Sequence, residues 1–303
     1  MKRLKFGFTL IELIVVIAII GLLVSVLVGK FGGATESSRR AKCMSNLRSI
    51  SQACYSAAMN DSYKRYPHAG SCEFINVSVS TTGESTAKYG EHPGWISWYS
   101  KGKYNNKGYA SSHQSCQNPG VYSSDDEIEY AYTNGAIWKA VSSNSDVYKC
   151  PTTARDNTKN GKEMAWTYAM SSFFCYDTSE GSEATETDLS GRSIGFERPD
   201  RRLMFAEICM EDINGGGTGD AYADCVLEYG DGTKQERIGF NHEDGRYTYA
   251  HVAYADGHVD KILRPVNSSK STEVELTKWL CEGYDVVRVG NKYEKVENSV
   301  DDD

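Results

Sequence analysis

The stretch that decides the reading is residues 1–28, MKRLKFGFTLIELIVVIAIIGLLVSVLV. Lys2, Arg3 and Lys5 stand ahead of an apolar run from Phe8 to Val28 that holds 16 of the chain's 57 Leu, Ile, Val and Phe residues. About 20 helical residues cross a bilayer, so this run predicts a transmembrane helix. The basic flank predicts an amino terminus on the cytoplasmic side and export of the chain beyond the span. A cleaved secretory signal fits less well, because its apolar region is usually ~7–15 residues and ends at small residues; no Ala-x-Ala site follows Val28. Neither reading accounts for Glu12. A carboxylate within an apolar span is costly unless paired, which marks it as functional.

Gly7-Phe8-Thr9-Leu10-Ile11-Glu12-Leu13 resembles the processing site of type IV prepilins and type II secretion pseudopilins. The resemblance implies that a prepilin peptidase cuts between Gly7 and Phe8 and methylates the new amine on Phe8. It further implies that Glu12 pairs with the terminal amine of a neighbouring subunit during assembly. Opposite charges attract strongly where the dielectric is low, so such a pair leaves neither group stranded. Cleavage would remove Lys2, Arg3 and Lys5 from the 33 basic residues, leaving 30 against 41 acidic ones and moving the formal charge from -8 to -11. All nine cysteines would remain. The acidic balance offers no basic face for nucleic acid, and none is expected as a partner.

Beyond Val28, Gly29, Gly32 and Gly33 permit a bend, after which helical spacing resumes. Cys43, Leu47, Ile50, Cys54 and Ala57 fall on one face, and the pattern fades at Asn60-Asp61 before Pro67. The expectation is a long helix from the membrane segment at 8–28 to about residue 61, with an extracytoplasmic domain at 63–303. Arg39, Arg40, Lys42 and Arg48 lie mostly off the packing face and read as a solvated basic cluster. Cys43 and Cys54 cannot bond to each other, since eleven residues of helix rise about 16 Å. They read as small packing residues, with a bond to a cysteine of the later domain left open.

Residues 63–303 are poor in aliphatic side chains but rich in Tyr and Trp, which predicts a loop-rich domain with an aromatic core. Trp95–Tyr99, Ala165–Met170, Leu203–Ile208, Tyr249–Tyr254, His258–Leu263 and Asp285–Val289 carry β-type composition. Asp256-Gly257 predicts a two-residue hairpin turn. The fold class is therefore α+β, a long helix packed on a mainly antiparallel sheet with long loops, as in pilins. Phe240–Val259 is similar to the carboxy-terminal signature of a pseudopilin-like family defined by a His, nine residues and Asp-Gly. Here thirteen residues separate His242 from Asp256-Gly257, and four separate His251 from it. Tyr148-Lys149-Cys150-Pro151, Tyr168-Ala169-Met170, and Arg198-Pro199 followed by Leu203-Met204-Phe205-Ala206-Glu207 are further family-like pieces in the right order.

Chemistry beyond the amino terminus is sparse. His242, His251, Asp256 and His258 carry metal-binding groups, but their spacing matches no standard loop, and a polar hairpin is the favoured reading. Asp212, Asn214 and Asp220, followed by Asp224, resemble part of a calcium loop that lacks its bidentate glutamate at position twelve. Calcium is the ion such a loop would hold, and a flexible acidic loop is the preferred reading of that stretch. Trp95, Trp98, Tyr99 and Tyr104 suit core duty better than a carbohydrate platform. No nucleophile elbow, phosphate loop or His-Glu-x-x-His motif is present, so no enzyme activity is expected. Export favours disulfides, although nine cysteines cannot all pair.

These features together lead to the expectation of a pilin or pseudopilin subunit in the bacterial inner membrane or in a filament drawn from it. The resemblance implies as partners prepilin peptidase, other pilin subunits, an inner-membrane assembly platform and membrane lipid. The alternative is an anchored binding or enzymatic domain exported on a prepilin-type signal.

Overall fold

A computed structural model describes residues 9–62, 64–69, 94–96, 125–133, 135–156, 164–174, 194–209, 225–227 and 236–296. Helix α1 runs unbroken from Leu10 to Asn60. The glycines at 29, 32 and 33 do not interrupt it, because backbone hydrogen bonds on either side carry the helix through. Thr9 caps its start: the Thr9 hydroxyl accepts from the Glu12 amide, and Glu12 accepts from the Thr9 amide at 2.8 Å. This reciprocal capping box satisfies two amide donors that would otherwise be orphaned. The helix ends at Asp61, whose backbone turns to an extended conformation.

Along the first part of α1, the described side chains from Leu10 to Leu23 are all exposed, including Leu10, Ile11, Ile17 and Leu22. They cover only part of the apolar run, and among the described residues no helix is long and apolar enough to cross a membrane. The second part is amphipathic as expected. Cys43, Leu47, Ile50 and Cys54 are fully buried, joined by Ala58, whereas Ala57 is only half-buried. The buried face thus shifts by one residue at the helix end.

This face lies on a six-stranded sheet built from β1 (Tyr168–Ser171), β2 (Leu203–Glu207), β3 (Val226–Leu227), β4 (His242–Glu243), β5 (Thr248–Tyr254) and β6 (Val259–Leu263). Strand β5 is the hub. One edge takes β2 along its carboxy-terminal half and β4 at its start, and the other edge takes β6. All pairings are antiparallel except β1 with β3. The mixed α+β architecture with a mainly antiparallel sheet is as the sequence predicts. Every residue of β2 is buried, which requires cover on both faces. Helix α1 supplies part of it, as does α4 (Lys270–Glu282), which also touches β2.

The β5–β6 connection differs from the expected two-residue turn. Tyr254 donates to His258 O and Gly257 donates to Tyr254 O, closing a three-residue loop, Ala255–Gly257, with Gly257 at φ +88°. A glycine in this left-handed position is what a three-residue hairpin requires. Trp95 and Ile96 are buried but do not form a strand, and residues 97–99 lie outside the described residues. Two short helices, α2 (Asp125–Thr133) and α3 (Pro151–Asp156), precede the sheet, and a hairpin of β7 (Asp285–Val289) and β8 (Lys292–Val296) comes after α4.

The aromatic core is present. Trp95 stacks on Tyr148 at 5.8 Å and meets Phe205 edge-on at 4.9 Å, while Tyr66 meets Phe174 edge-on at 5.1 Å. Trp95 thus has the core duty expected of it; Trp98, Tyr99 and Tyr104 lie outside the described residues. Such rings bury large apolar areas, and favourable edge or offset contacts add ~0.5–1.5 kcal/mol per pair.

Candidate functional site

Two places concentrate chemistry. At the amino-terminal end, Gly7 and Phe8 lie outside the described residues, whereas Glu12 sits one turn inside α1. Its carboxylate accepts from both the amide and the hydroxyl of Thr9, at 2.8 and 2.7 Å. Glu12 is thus oriented toward the helix start, the end at which cleavage after Gly7 would create a new amine.

The second place is enclosed where α1 meets the sheet. Cys43 comes from α1, Cys150 from the residue before α3, Glu207 from the end of β2 and His242 from the start of β4. All four are buried, with exposures of 0%, 0%, 0% and 1%. Cys43 Sγ lies 3.1 Å from Glu207 Oε1, His242 Nε2 lies 2.7 Å from the same oxygen, and Cys150 Sγ lies 3.5 Å from His242 Nε2. One donor atom from each of the four falls within 4.8 Å of all the others, a set able to hold a metal ion.

The surroundings fix these side chains. Thr153 Oγ1 and Asn241 Nδ2 donate to Glu207 Oε2 at 3.1 and 3.3 Å, leaving Oε1 to face the cluster. The Tyr168 hydroxyl reaches Cys43 Sγ at 3.2 Å. His242 stacks on Tyr249 at 5.3 Å and meets the His251 ring edge-on at 4.6 Å. His242 Nδ1 has no hydrogen-bond partner, so the ring engages through Nε2. Asn241 Nδ2 also donates to Ile208 O, and Gly239 N donates to Glu207 O at 2.8 Å.

Without a metal, electrostatics place charge on this cluster. Burial would raise the Glu207 pKa, but attraction to His242 and hydrogen bonds from His242 and His251 hold it well below the usual carboxylate range. Burial opposes charging of His242, yet Glu207 and Cys150 together raise its pKa to about 10. Burial also pushes Cys150 up, but hydrogen bonds with Cys43 and His242 and the charge on His242 bring its thiol down to about 6. Cys43, by contrast, is raised well above its usual value, with burial the largest cause. Among the described residues, the ion-pair partners of Glu207 are His242 and His251, with no Lys or Arg.

Gly239 permits this assembly. A side-chain carbon there would fall 2.2 Å from Ile208 O and 2.7 Å from Asn241 Nδ2. Gly239→Ala is therefore expected to push residues 239–242 off β2 and destabilise the chain by about 2 kcal/mol, the range of overpacked interiors. Urea unfolding in detergent checks this; a loss below about 0.5 kcal/mol, the ordinary surface range, contradicts the close-approach account.

The histidine reading separates into two pairs. His242 and His251 converge on Glu207, whereas Asp256 and His258 pair with each other at 2.6 Å on the exposed turn. His251 and His258 do not converge, as expected of residues separated by a turn. Asp212, Asn214, Asp220 and Asp224 lie outside the described residues. Sequence reasoning reads Cys43 as a packing residue and gives Cys150 and Glu207 no place in a site. The available signal is Glu207 itself, a carboxylate closing an otherwise apolar strand, Leu203-Met204-Phe205-Ala206.

Residues 2–28 match the prokaryotic N-terminal methylation motif, the prepilin-type signal. The match covers Gly7, Phe8 and Glu12 and does not extend to Phe240–Val259. It identifies a prepilin-type signal protein, and the motif implies processing by prepilin peptidase, assembly with other pilins, and a membrane-anchored or extracytoplasmic location. Neither the curated proteins nor the solved structures give a match.

Proposed function

We propose that the chain is a structural pilin or pseudopilin subunit and not an enzyme. Its precursor crosses the bacterial inner membrane once with the amino terminus in the cytoplasm. Prepilin peptidase cuts between Gly7 and Phe8 and methylates Phe8. Subunits then leave the bilayer through an assembly platform and stack their apolar helices into a type II secretion pseudopilus or type IV pilus-like filament. The observation that carries this reading is the methylation motif at residues 2–28, which overlaps the start of α1, where the described side chains other than Glu12 are exposed and apolar. Such a surface needs lipid or neighbouring helices to cover it.

Mass spectrometry of the protein from its native host tests the proposal. The expected result is a mature amino terminus at N-methylated Phe8, with the protein recovered in sheared filament or cell-envelope fractions. An intact leader, or a cut after Val28, overturns it.

A further inference from the structure

We propose that Cys43, Cys150, Glu207 and His242 form a closed, four-coordinate zinc site that fastens α1 to the sheet. The donor set is two sulfurs, one imidazole nitrogen and one carboxylate oxygen, which suits a borderline-soft ion of tetrahedral preference. The geometry agrees. Bonds of ~2.3 Å to sulfur and ~2.0–2.2 Å to nitrogen or oxygen put tetrahedral ligands about 3.4–3.8 Å apart. Cys150 Sγ and His242 Nε2 are already 3.5 Å apart. The Cys43–Glu207 and His242–Glu207 separations, 3.1 and 2.7 Å, need to open by less than about 1 Å.

The surroundings match a metal-bound set. Glu207 presents Oε1 inward while Thr153 and Asn241 hold Oε2, which orients a monodentate carboxylate. Tyr168 donates toward the Cys43 sulfur. Entry of Zn²⁺ displaces to solvent the proton shared by Glu207 and His242 and whatever protons the sulfurs carry. Two thiolates, a carboxylate and a neutral imidazole then surround a dication. Full burial leaves no open position for water, so the ion is structural. The four ligands come from α1, the residue before α3, β2 and β4, so the ion joins segments that local sequence does not hold together. This inference stands independently of filament assembly.

The test is metal analysis of the full-length chain purified in detergent without added chelator, with mass mapping of its cysteines. The expected result is one zinc per chain, with Cys43 and Cys150 unlinked. Replacing zinc with cobalt should produce a thiolate-to-metal charge-transfer band. Cys43→Ser and Cys150→Ser should lose zinc, and Asn241→Ala, which removes the hydrogen bonds to Glu207 Oε2 and Ile208 O but no ligand, should weaken zinc affinity about tenfold. If the cysteine variants fail to fold, wild-type protein still decides. Zinc should slow alkylation of Cys43 and Cys150, and a chelator should restore it, leaving Cys54 on the same helix face unaffected. A Cys43–Cys150 disulfide, or folded protein with free thiols and less than about one zinc per ten chains, overturns the proposal.

Discussion

Glu12→Ala is expected to leave processing at Gly7 largely intact and to abolish incorporation of the subunit into filaments. Two roles compete for this carboxylate. Within one chain it closes the capping box with Thr9. Between chains, the proposed role is to meet the methylated amine of a neighbouring Phe8 in a low-dielectric surround. Loss of a cap costs only about 1 kcal/mol, too little to unwind a helix of 51 residues, so structural damage does not explain failed assembly. Glu12→Gln separates the roles, since glutamine serves in a capping box but carries no charge. Under the charge-pairing account Gln fails as Ala does, by more than about tenfold in sheared filament yield, since an unpaired amine is stranded in an apolar core. Normal assembly of Glu12→Gln assigns the residue to capping instead. Gly7→Ala makes the complementary cut: the leader stays on and assembly fails, visible as a mass retaining residues 1–7. If Gly7→Ala and Glu12→Ala both assemble normally, the filament reading fails.

Arg237→Met is expected to destabilise the folded chain by about 3 kcal/mol, the lower end of the cost of orphaning a buried charge. Glu273, in the first turn of α4, is fully buried and paired with Arg237, which is itself 6% exposed. Arg264 Nε also approaches Glu273 at 2.6 Å and Ser268 donates to the same carboxylate. These remaining partners, with Arg264 partly solvated, keep the loss near that lower end. The double variant Arg237→Met, Glu273→Leu should recover much of the stability, because removing both charges removes the desolvation penalty with the attraction. Chemical denaturation of the full chain in detergent measures both variants. A double variant no more stable than the single one shows that the pair holds α4 by specific geometry and not by charge compensation.

Local patterns make some parts of this molecule readable and leave others hidden. The one-sided spacing of Cys43, Leu47, Ile50 and Cys54 predicts the face that α1 buries, and the runs at β2, β5, β6 and β7 show as strands through their β-branched and aromatic content. Helix α4 has no comparable signal. Its sequence, KSTEVELTKWLCE, is short and mixed, and its boundaries come from the Ser269 cap and Gly283 at φ +79°. The Asp-Gly pair marks the position of the β5–β6 turn but not its length, since loop length depends on the strand register. The cluster of Cys43, Cys150, Glu207 and His242 is hidden for a stronger reason. Its members are up to 199 residues apart along the chain, and only the packing of α1 across β2 and β4 brings them together. Cys43 has the helical spacing of an ordinary core residue, so nothing near it distinguishes a ligand from a packing group.

The position of β5 imposes an order on biogenesis. If the domain is exported in chain order, as proposed, the packing face of α1 emerges first, and β5, its main partner in the sheet, follows roughly 200 residues later. On that route the short helical turns at Ser145–Tyr148 and Pro151–Asp156 pack on α1 before β5 arrives, but Cys43 and Cys54 precede every strand of the described sheet. Export of the chain would therefore set burial of these thiols in a race with oxidation, and faster delivery of the last ~60 residues should reduce wrongly bridged product.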